Sequence, residues 1–448
     1  MDARRVTATF RRVARADHPV SRKNISIGAL RVLTRLHDAG FQAFLVGGAV
    51  RDLMLGGHPK DFDVATDATP EQVRSLFRNC RLIGRRFRLA HVVFGRETVE
   101  VATFRSGADD GSGGRHMVDG RLVRDNVYGT IEEDALRRDF TVNALYYDIA
   151  DFSVRDYVGG IEDLQQHRLR LIGNPEQRYR EDPVRMLRAV RLSAKLGFRI
   201  DPATSAPFAA LGPLLAEAAP ARLFDESLKM FLTGHGQASF RALRECGLLR
   251  HVYPGAARAL EGARAEACRV LIEGALASTD ERIRDGKPVT PAFLFAALLW
   301  DAVQLGIDDR TSAGTDSEMA FAAAAERVLA EQRTHVAVPR RFTLVVEEIW
   351  ALQPVLEQRP RRRVMRLLAN PRFRAAYDFL VLRAQAEPAL SGCAQWWTEV
   401  QSLDREGLAR RVAELANGPD QPPAPPRSVR RRRRRRRGGK AAAKTAPE

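Results

Sequence analysis

The chain has 448 residues, 45% hydrophobic and 28% charged, with a formal charge of +17. That length supports two or three domains with sizeable cores, and the composition is that of a globular protein rather than a disordered or fibrous one. Residues 421–448 hold eleven basic side chains against Glu448 alone, so about +7 stays on the rest of the chain, and a body that is basic even without its tail points to a polyanionic partner.

Residues 1–20 read as a flexible basic lead-in without an apolar leader. The longest apolar run, Pro291 to Val303, is too short to span a bilayer and contains Asp301. Cys80, Cys246, Cys268 and Cys393 show no CxxC spacing, so they read as thiols of a reducing compartment. A cytoplasmic location without a transmembrane segment is expected. Ser26 then caps a helix with Leu30, Leu33 and Leu36 on one face, ending at Gly40.

Phe44 to Asp67, FLVGGAVRDLMLGGHPKDFDVATD, holds the densest chemistry. Phe44-Leu45-Val46 is a short buried strand. Gly47-Gly48 let the backbone turn sharply and approach a ligand, and a helix carrying Arg51-Asp52 starts just after them, an arrangement suited to phosphate. A second strand carries Asp61 and Asp63 on one face, with Phe62 and Val64 on the other. Two carboxylates side by side repel unless cations sit between them, which predicts a pair of Mg²⁺ ions. A DxD alone is usually a solvated turn, and only the sequence strand–GG–helix–loop–DxD makes the catalytic reading specific.

Thr69-Pro70 starts the next helix. In LIGRRFRLAHV, Arg85, Arg86 and Arg88 surround Phe87 and are candidates to clamp triphosphate or RNA phosphates, against the alternative of an exposed basic hairpin edge. The alternating strand Val99 to Arg105 adds Glu100 as a candidate third carboxylate. Ser106 to Asp125 reads as a flexible loop. Glu132 to Leu145 reads as one short helix, with Arg138, Asp139 and Asn143 assigned to sugar and phosphate contacts. Asp151 to Gly160 closes this unit as a hairpin-like segment.

In the next helix Asp182 is the expected N-cap and Pro183 the first residue. Arg185, Arg188 and Arg191 are expected to face outward. An Asp acceptor beside an Arg donor, Asp182 and Arg185, can read a Watson–Crick edge, adenine and cytosine fitting equally well. From Ala221 onward the chain reads helical, with Arg222, Asp225, Glu226 and Lys229 on a charged face. Trp396-Trp397 is read as core, with base stacking as its alternative. Arg340-Arg341 and Arg359 to Arg363 are basic clusters. Beyond Asn417 the chain is expected to be disordered, and Arg430, Arg431, Arg432, Arg433, Arg434, Arg435, Arg436 and Arg437 to bind RNA without sequence preference.

Between Val46 and Arg191 the motifs LVGGAVRDLMLG, DFDVATDATPEQV, RRDFTVNALYY, RDYVGGIEDL and EDPVRMLRAVR together resemble the bacterial poly(A) polymerases, within the class II nucleotidyltransferase superfamily that also holds the tRNA CCA-adding enzymes. LIGRRFRLAHV resembles the poly(A) polymerase form, and the likeness continues to about residue 390. The resemblance implies Mg²⁺ in a two-metal site, ATP as donor, RNA 3′ ends as acceptor, Asp61 and Asp63 as metal-binding catalytic carboxylates, and Asp139 as a further essential aspartate. Glu100 stays its rival for the third place. Gly47, Gly48, Arg51, Asp52, Arg138, Asn143, Asp182, Arg185, Arg188 and Arg191 form the expected nucleotide-binding set.

The expected fold is α+β. An N-terminal nucleotidyltransferase head (21–160) with a small mixed sheet and helices precedes an all-helical neck (161–235) and an RNA-binding body (236–416), with a disordered basic tail (417–448). The expected activity is template-independent addition of AMP to RNA 3′ ends. CCA addition to tRNA and non-catalytic RNA binding are the alternatives. RNA-decay or chaperone partners and the oligomeric state stay open.

Overall fold

The computed structural model describes residues 10–84, 88–106, 115–118, 121–125, 127–312 and 316–415. Arg85, Arg86, Arg430 to Arg437, and the segments 1–9 and 416–448 therefore lie outside the described residues.

The head is built on strands β1 (Arg11–Val13), β2 (Ala43–Val46), β3 (Asp63–Thr66), β4 (Cys80–Ile83), β5 (Leu89–Phe94) and β6 (Glu97–Thr103), then the hairpin β7 (Arg115–Val118) and β8 (Arg121–Asp125), then β9 (Leu145–Asp148) and β10 (Val154–Asp156). Eight of these form one sheet in the order β1-β10-β9-β2-β3-β6-β5-β4. Its pairs are antiparallel except β3 with β6, which run parallel with Asp63 opposite Glu100. The sheet is larger than the sequence suggests. Residues 11–13 of the expected lead-in close one edge on β10, and His18 is buried with its ring nitrogen 2.9 Å from the Phe152 carbonyl. The expected loop 106–125 contains the β7–β8 hairpin.

Both faces of the central strands are covered, as alternation requires. Leu45, Val64 and Val101 join Val32, Leu33 and Leu36 of helix α1 (Ile27–Asp38) in the main core. Phe44, Val46, Ala65 and Phe104 face the other way, against Tyr146 and Ile131 and Ala135 of a later helix. The Ser26 hydroxyl caps α1 by accepting from Ala29 N–H at 3.0 Å. After helix α2 (Gly48–Met54), Thr69 and Gln72 form a reciprocal capping box at the start of α3 (Pro70–Leu76).

The expected helix over Glu132 to Leu145 is shorter. α4, here the helix Ile131–Arg137, stops when Arg138 turns extended at ψ 169°, and Thr141–Asn143 form a single 3₁₀ turn before β9. Phe140, Thr141 and Val142 are aromatic or β-branched and fully buried, and Phe140 bridges to Leu171, so packing and a strand-like contact win over helix continuation. The neck also differs from its reading. Two helices, Pro175–Glu181 and Val184–Leu196, replace one, and Asp182 is the joint between them. Asn174 followed by Pro175 marks the first start, its side chain accepting from Gln177 N–H at 3.0 Å.

From Pro220 onward the described chain is helical. The helix Pro291–Ser312 contains a stretch, Pro291–Asp309, long and apolar enough to cross a membrane; two thirds of its apolar window is buried in the protein and Asp301 within it pairs with Arg264 at 2.7 Å, which marks a core helix. Trp396 and Trp397 are buried, and Trp397 Nε1 donates to the Leu356 carbonyl at 2.9 Å, so they are core. The main apolar cluster is continuous from Val20 to Leu382, whereas Leu356 to Leu408 build a second, smaller cluster.

Candidate active site

A cleft of about 640 Å³ opens between the sheet and the neck. Asp63 and Glu100 line one part; Arg105, Arg137, Arg138, Arg178, Arg185, Arg188 and Arg222 line the rest, with Asp134, Asp139, Glu181 and Asp182 among them.

Asp61 and Asp63 are exposed while Phe62 and Val64 are buried, so the carboxylates share the solvent side of the segment. Gly47 takes φ 78°, ψ −141°, a backbone state open to glycine, where the chain leaves β2. A β-carbon there would stand 3.7 Å from Asp63 Oδ2 and 3.8 Å from Arg138 Nη1, so the glycine corner and the first aspartate of β3 are neighbours. Asp63 has its pKa pushed up to about 6: surrounding protein strips water from the carboxylate even though its edge is open, then Glu100 and Asp61 repel its charge, against partial relief from Arg138 and His91. His91 Nε2 lies 3.4 Å from Glu100 on the adjacent strand.

Asp139 is in a different setting. Its Oδ2 pairs with Arg188 at 2.5 Å, and its Oδ1 accepts from Phe140 N–H at 2.7 Å and Asn143 Nδ2 at 3.3 Å. Burial alone would raise its pKa, but Arg188, those two hydrogen bonds and Arg185 outweigh it and hold the carboxyl below its usual value. Arg138 donates through Nε to Tyr146 Oη at 2.9 Å and Asp134 Oδ2 at 3.1 Å, and Tyr146 Oη donates to the same Asp134 oxygen at 2.7 Å. Burial opposes its charge, yet Tyr146 and Asp134 raise the guanidinium's pKa above the ordinary value. Arg178 reaches across from the neck to donate to the carbonyls of Arg137 and, at 2.7 Å, Arg138, which closes the C-terminal end of α4.

Asp182 and Arg185 both line the cleft but do not pair with each other. Arg222 holds Asp182 with two hydrogen bonds of 3.1 and 2.9 Å, and Arg185 donates to the Arg178 carbonyl at 2.7 Å and Glu181 at 3.1 Å.

Several expected residues lie elsewhere. Arg51 is buried, donating to Asn143 Oδ1 at 2.7 Å and to Asp52 Oδ1, so Arg51, Asp52 and Asn143 form a network behind Asp139 rather than cleft wall. Arg191 does not face outward: its Nε donates to Glu226 at 2.5 Å on the helix Pro220–Phe231. Glu226 is itself buried, not part of an exposed charged face, and a buried carboxylate needs such a partner. Arg88 is exposed and pairs with Glu71 at 2.7 Å. Spacing in the sequence does not reveal Arg105, Asp134, Arg178 or Tyr146 as site residues, because only tertiary packing brings them in. Among the described residues no group of three or more His, Cys, Asp or Glu side chains is arranged to hold a metal by itself.

Family models match three segments: "Poly A polymerase head domain" over residues 43–170, "Probable RNA and SrmB-binding site of polymerase A" over 197–260, and "Polymerase A arginine-rich C-terminus" over 313–438. The chain is 50% identical over 423 residues to Poly(A) polymerase I of Salmonella typhi, covering 93% of this chain and 90% of that protein. It is 45% identical over 405 residues to Poly(A) polymerase I of Haemophilus influenzae, covering 89% and 90%. The CCA-adding enzyme of Lactobacillus helveticus is 36% identical over 231 residues, 51% of this chain and 56% of its own length. Among solved structures, the Bacillus stearothermophilus CCA-adding enzyme in complex with CTP superposes with a TM-score of 0.57 at 27% identity, over 87% of this chain and 82% of that one.

Proposed function

The chain belongs to the bacterial poly(A) polymerase I family, and from that membership we propose which cleft residues do its chemistry. The protein is a polynucleotide adenylyltransferase: without a template it transfers AMP from ATP to an RNA 3′-hydroxyl and releases pyrophosphate. The expected α+β architecture with a nucleotidyltransferase head is present. CCA addition is the weaker reading, since sequence likeness to the Lactobacillus helveticus CCA-adding enzyme covers 51% of the chain at 36% identity, against 93% at 50% identity for the Salmonella typhi poly(A) polymerase.

Asp61, Asp63 and Glu100 are the acidic set for Mg²⁺. The observation that carries this is the β3–β6 register, which puts Glu100 opposite Asp63 and crowds its charge. That crowding fits a divalent cation, and the absence of a complete protein cage fits Mg²⁺, which usually takes one or two carboxylates and leaves other positions to water and substrate phosphates. Bound there, Mg²⁺ would lower the pKa of the RNA 3′-hydroxyl and offset charge on the departing pyrophosphate. Asp139, held in the cleft by Arg188 and backed by Asn143, orients the nucleotide. Arg138, Arg185 and Arg188 hold ATP phosphates and base in line, and Asp182 with Arg185 presents the edge that reads adenine. The glycine corner at Gly47 keeps side-chain bulk away from the phosphates.

Extension of an unstructured RNA with each nucleoside triphosphate singly tests this reading. Long products with ATP alone are expected, and none from Asp61→Ala or Asp63→Ala while RNA is still bound. Glu100→Gln should raise the Mg²⁺ concentration for half-maximal rate, whereas Asp139→Asn should raise KM for ATP at unchanged Mg²⁺ dependence. The reverse pattern would return the third place to Asp139.

A further inference from the structure

We propose that a rigid arginine knuckle, residues 359–366, is a second RNA-backbone site in the body, apart from the catalytic cleft. Arg359 ends the helix Arg340–Gln358 in the left-handed region at φ 46°, ψ 56°, a conformation that glycine takes more easily. Pro360 follows, then a 3₁₀ turn Arg361–Arg363 closed by Arg363 N–H donating to the Pro360 carbonyl at 2.8 Å, then the helix Val364–Leu368. Val364 and Leu367 are buried in the second apolar cluster with Leu356 and Trp397, so the turn is pinned from below.

Above that anchor Arg361, Arg362, Arg363 and Arg366 are exposed, with no carboxylate from 359 to 366. None of the four makes an ion pair among the described residues. Their neighbours behave differently: Arg372 pairs with Glu348, Arg374 with Asp378, and Arg383 with Glu357 and Glu387. A held concentration of unneutralised guanidinium groups is a phosphate site, because the planar fork meets phosphate oxygens two at a time.

RNA is the occupant these observations favour. It is the polyanion that the enzyme already handles. A lipid surface would need an apolar face beside the charge, and the knuckle offers one exposed apolar side chain, Met365, 61% exposed. No residue of the knuckle lines the catalytic cleft, so RNA phosphates held there are bound apart from the reacting 3′ end. The helix Arg405–Glu414, the last described element before the arginine run in sequence, packs on the same cluster through Leu408. The inference rests on RNA being the substrate and not on the assignment of any cleft residue.

The test uses the full chain with R361A/R362A/R363A/R366A and the matching fourfold Arg→Lys variant. Initial rate and affinity are measured on a six-nucleotide and a forty-nucleotide RNA across a salt series. The alanine variant should keep wild-type kcat and KM on the short RNA and lose affinity several-fold on the long one. Its salt slope on the long RNA should fall by about 3, as expected when four single-strand phosphates are no longer neutralised. The lysine variant should keep most of that slope. Unchanged affinity and slope on the long RNA would overturn the proposal, as would an equal loss on both lengths. Loss of binding to anionic vesicles with the RNA slope intact would assign the patch to lipid instead.

Discussion

Asp63 is ionised at a cost. Burial, then the charge of Glu100, pushes its carboxyl pKa up to about 6, so the folded chain holds this proton more tightly than the unfolded one. Its contribution to stability is therefore greatest below the ordinary carboxylate pKa, and is lost as pH rises through about 6. Above that window the metal-free fold carries a repulsion that a cation relieves. Asp63→Asn should therefore abolish extension yet stabilise the metal-free protein at pH 7.5, by at most about 1 kcal/mol given the open edge of the carboxylate. Added Mg²⁺ should raise the melting temperature of the wild type and not of the variant, and the wild-type gain should fade as pH drops below 6. Calorimetry across pH with and without Mg²⁺ reads both; a destabilised Asp63→Asn would mean that Asp63 supports the fold instead of straining it. The nearness of Asp63 to the glycine corner was legible in the sequence, because glycine chemistry is a local rule, whereas the expected strand starts only at Asp63 and leaves Asp61 in the extended segment before it, outside the cleft lining. Glu100 was legible as a third carboxylate near the pair from its own alternating strand, but its place opposite Asp63 was not, because the parallel register of β3 with β6 is set by tertiary pairing and no local pattern encodes it.

At the scale of elements, α4 shows what the sequence conveys and where it stops. Thr130 caps the helix by a reciprocal box with Glu133, a pattern visible in the letters. Its end at Arg138 is not visible there. The residues that follow keep helix-compatible charges, and only the burial of Phe140 to Val142 and the Arg178 clamp from the neck decide the stop. The same holds for Arg191 and Glu226, whose helical spacing allowed an exposed face but whose helices pack together. Tyr146 ties the end of α4 to the sheet, accepting from Arg138 and donating to Asp134 while its ring sits in the small cluster with Phe44 and Ala135. Tyr146→Phe keeps the ring and removes both bonds, leaving Asp134 and Arg138 short of a buried partner. The expected loss is about 1–3 kcal/mol by denaturant unfolding, with a larger proportional rise in KM for ATP than fall in kcat. A variant as stable as wild type would show that water replaces the hydroxyl.

For the whole molecule the decisive feature is that one apolar cluster runs from Val20 to Leu382 through head, neck and body. The proposed boundaries at 160 and 235 thus separate functions, not independently folding cores: α1, the neck helices and the helix Pro220–Phe231 share a single interior. A chain cut after 235 should expose core, bind a hydrophobic dye and lose ATP-dependent extension. A cut after 415 removes no described buried residue, so it should leave the melting temperature and the rate on short RNA unchanged. Yet it removes all eleven basic side chains of residues 421–448, and each RNA phosphate that they neutralise adds about 0.7 to the single-strand salt slope. If those side chains engage RNA together, the slope falls by several units on truncation and affinity at low salt drops by orders of magnitude, while affinities at high salt converge. If instead the shortened chain binds long RNA with the wild-type slope, the arginine run touches no phosphates, and the polyanion affinity of this protein resides in its folded body alone.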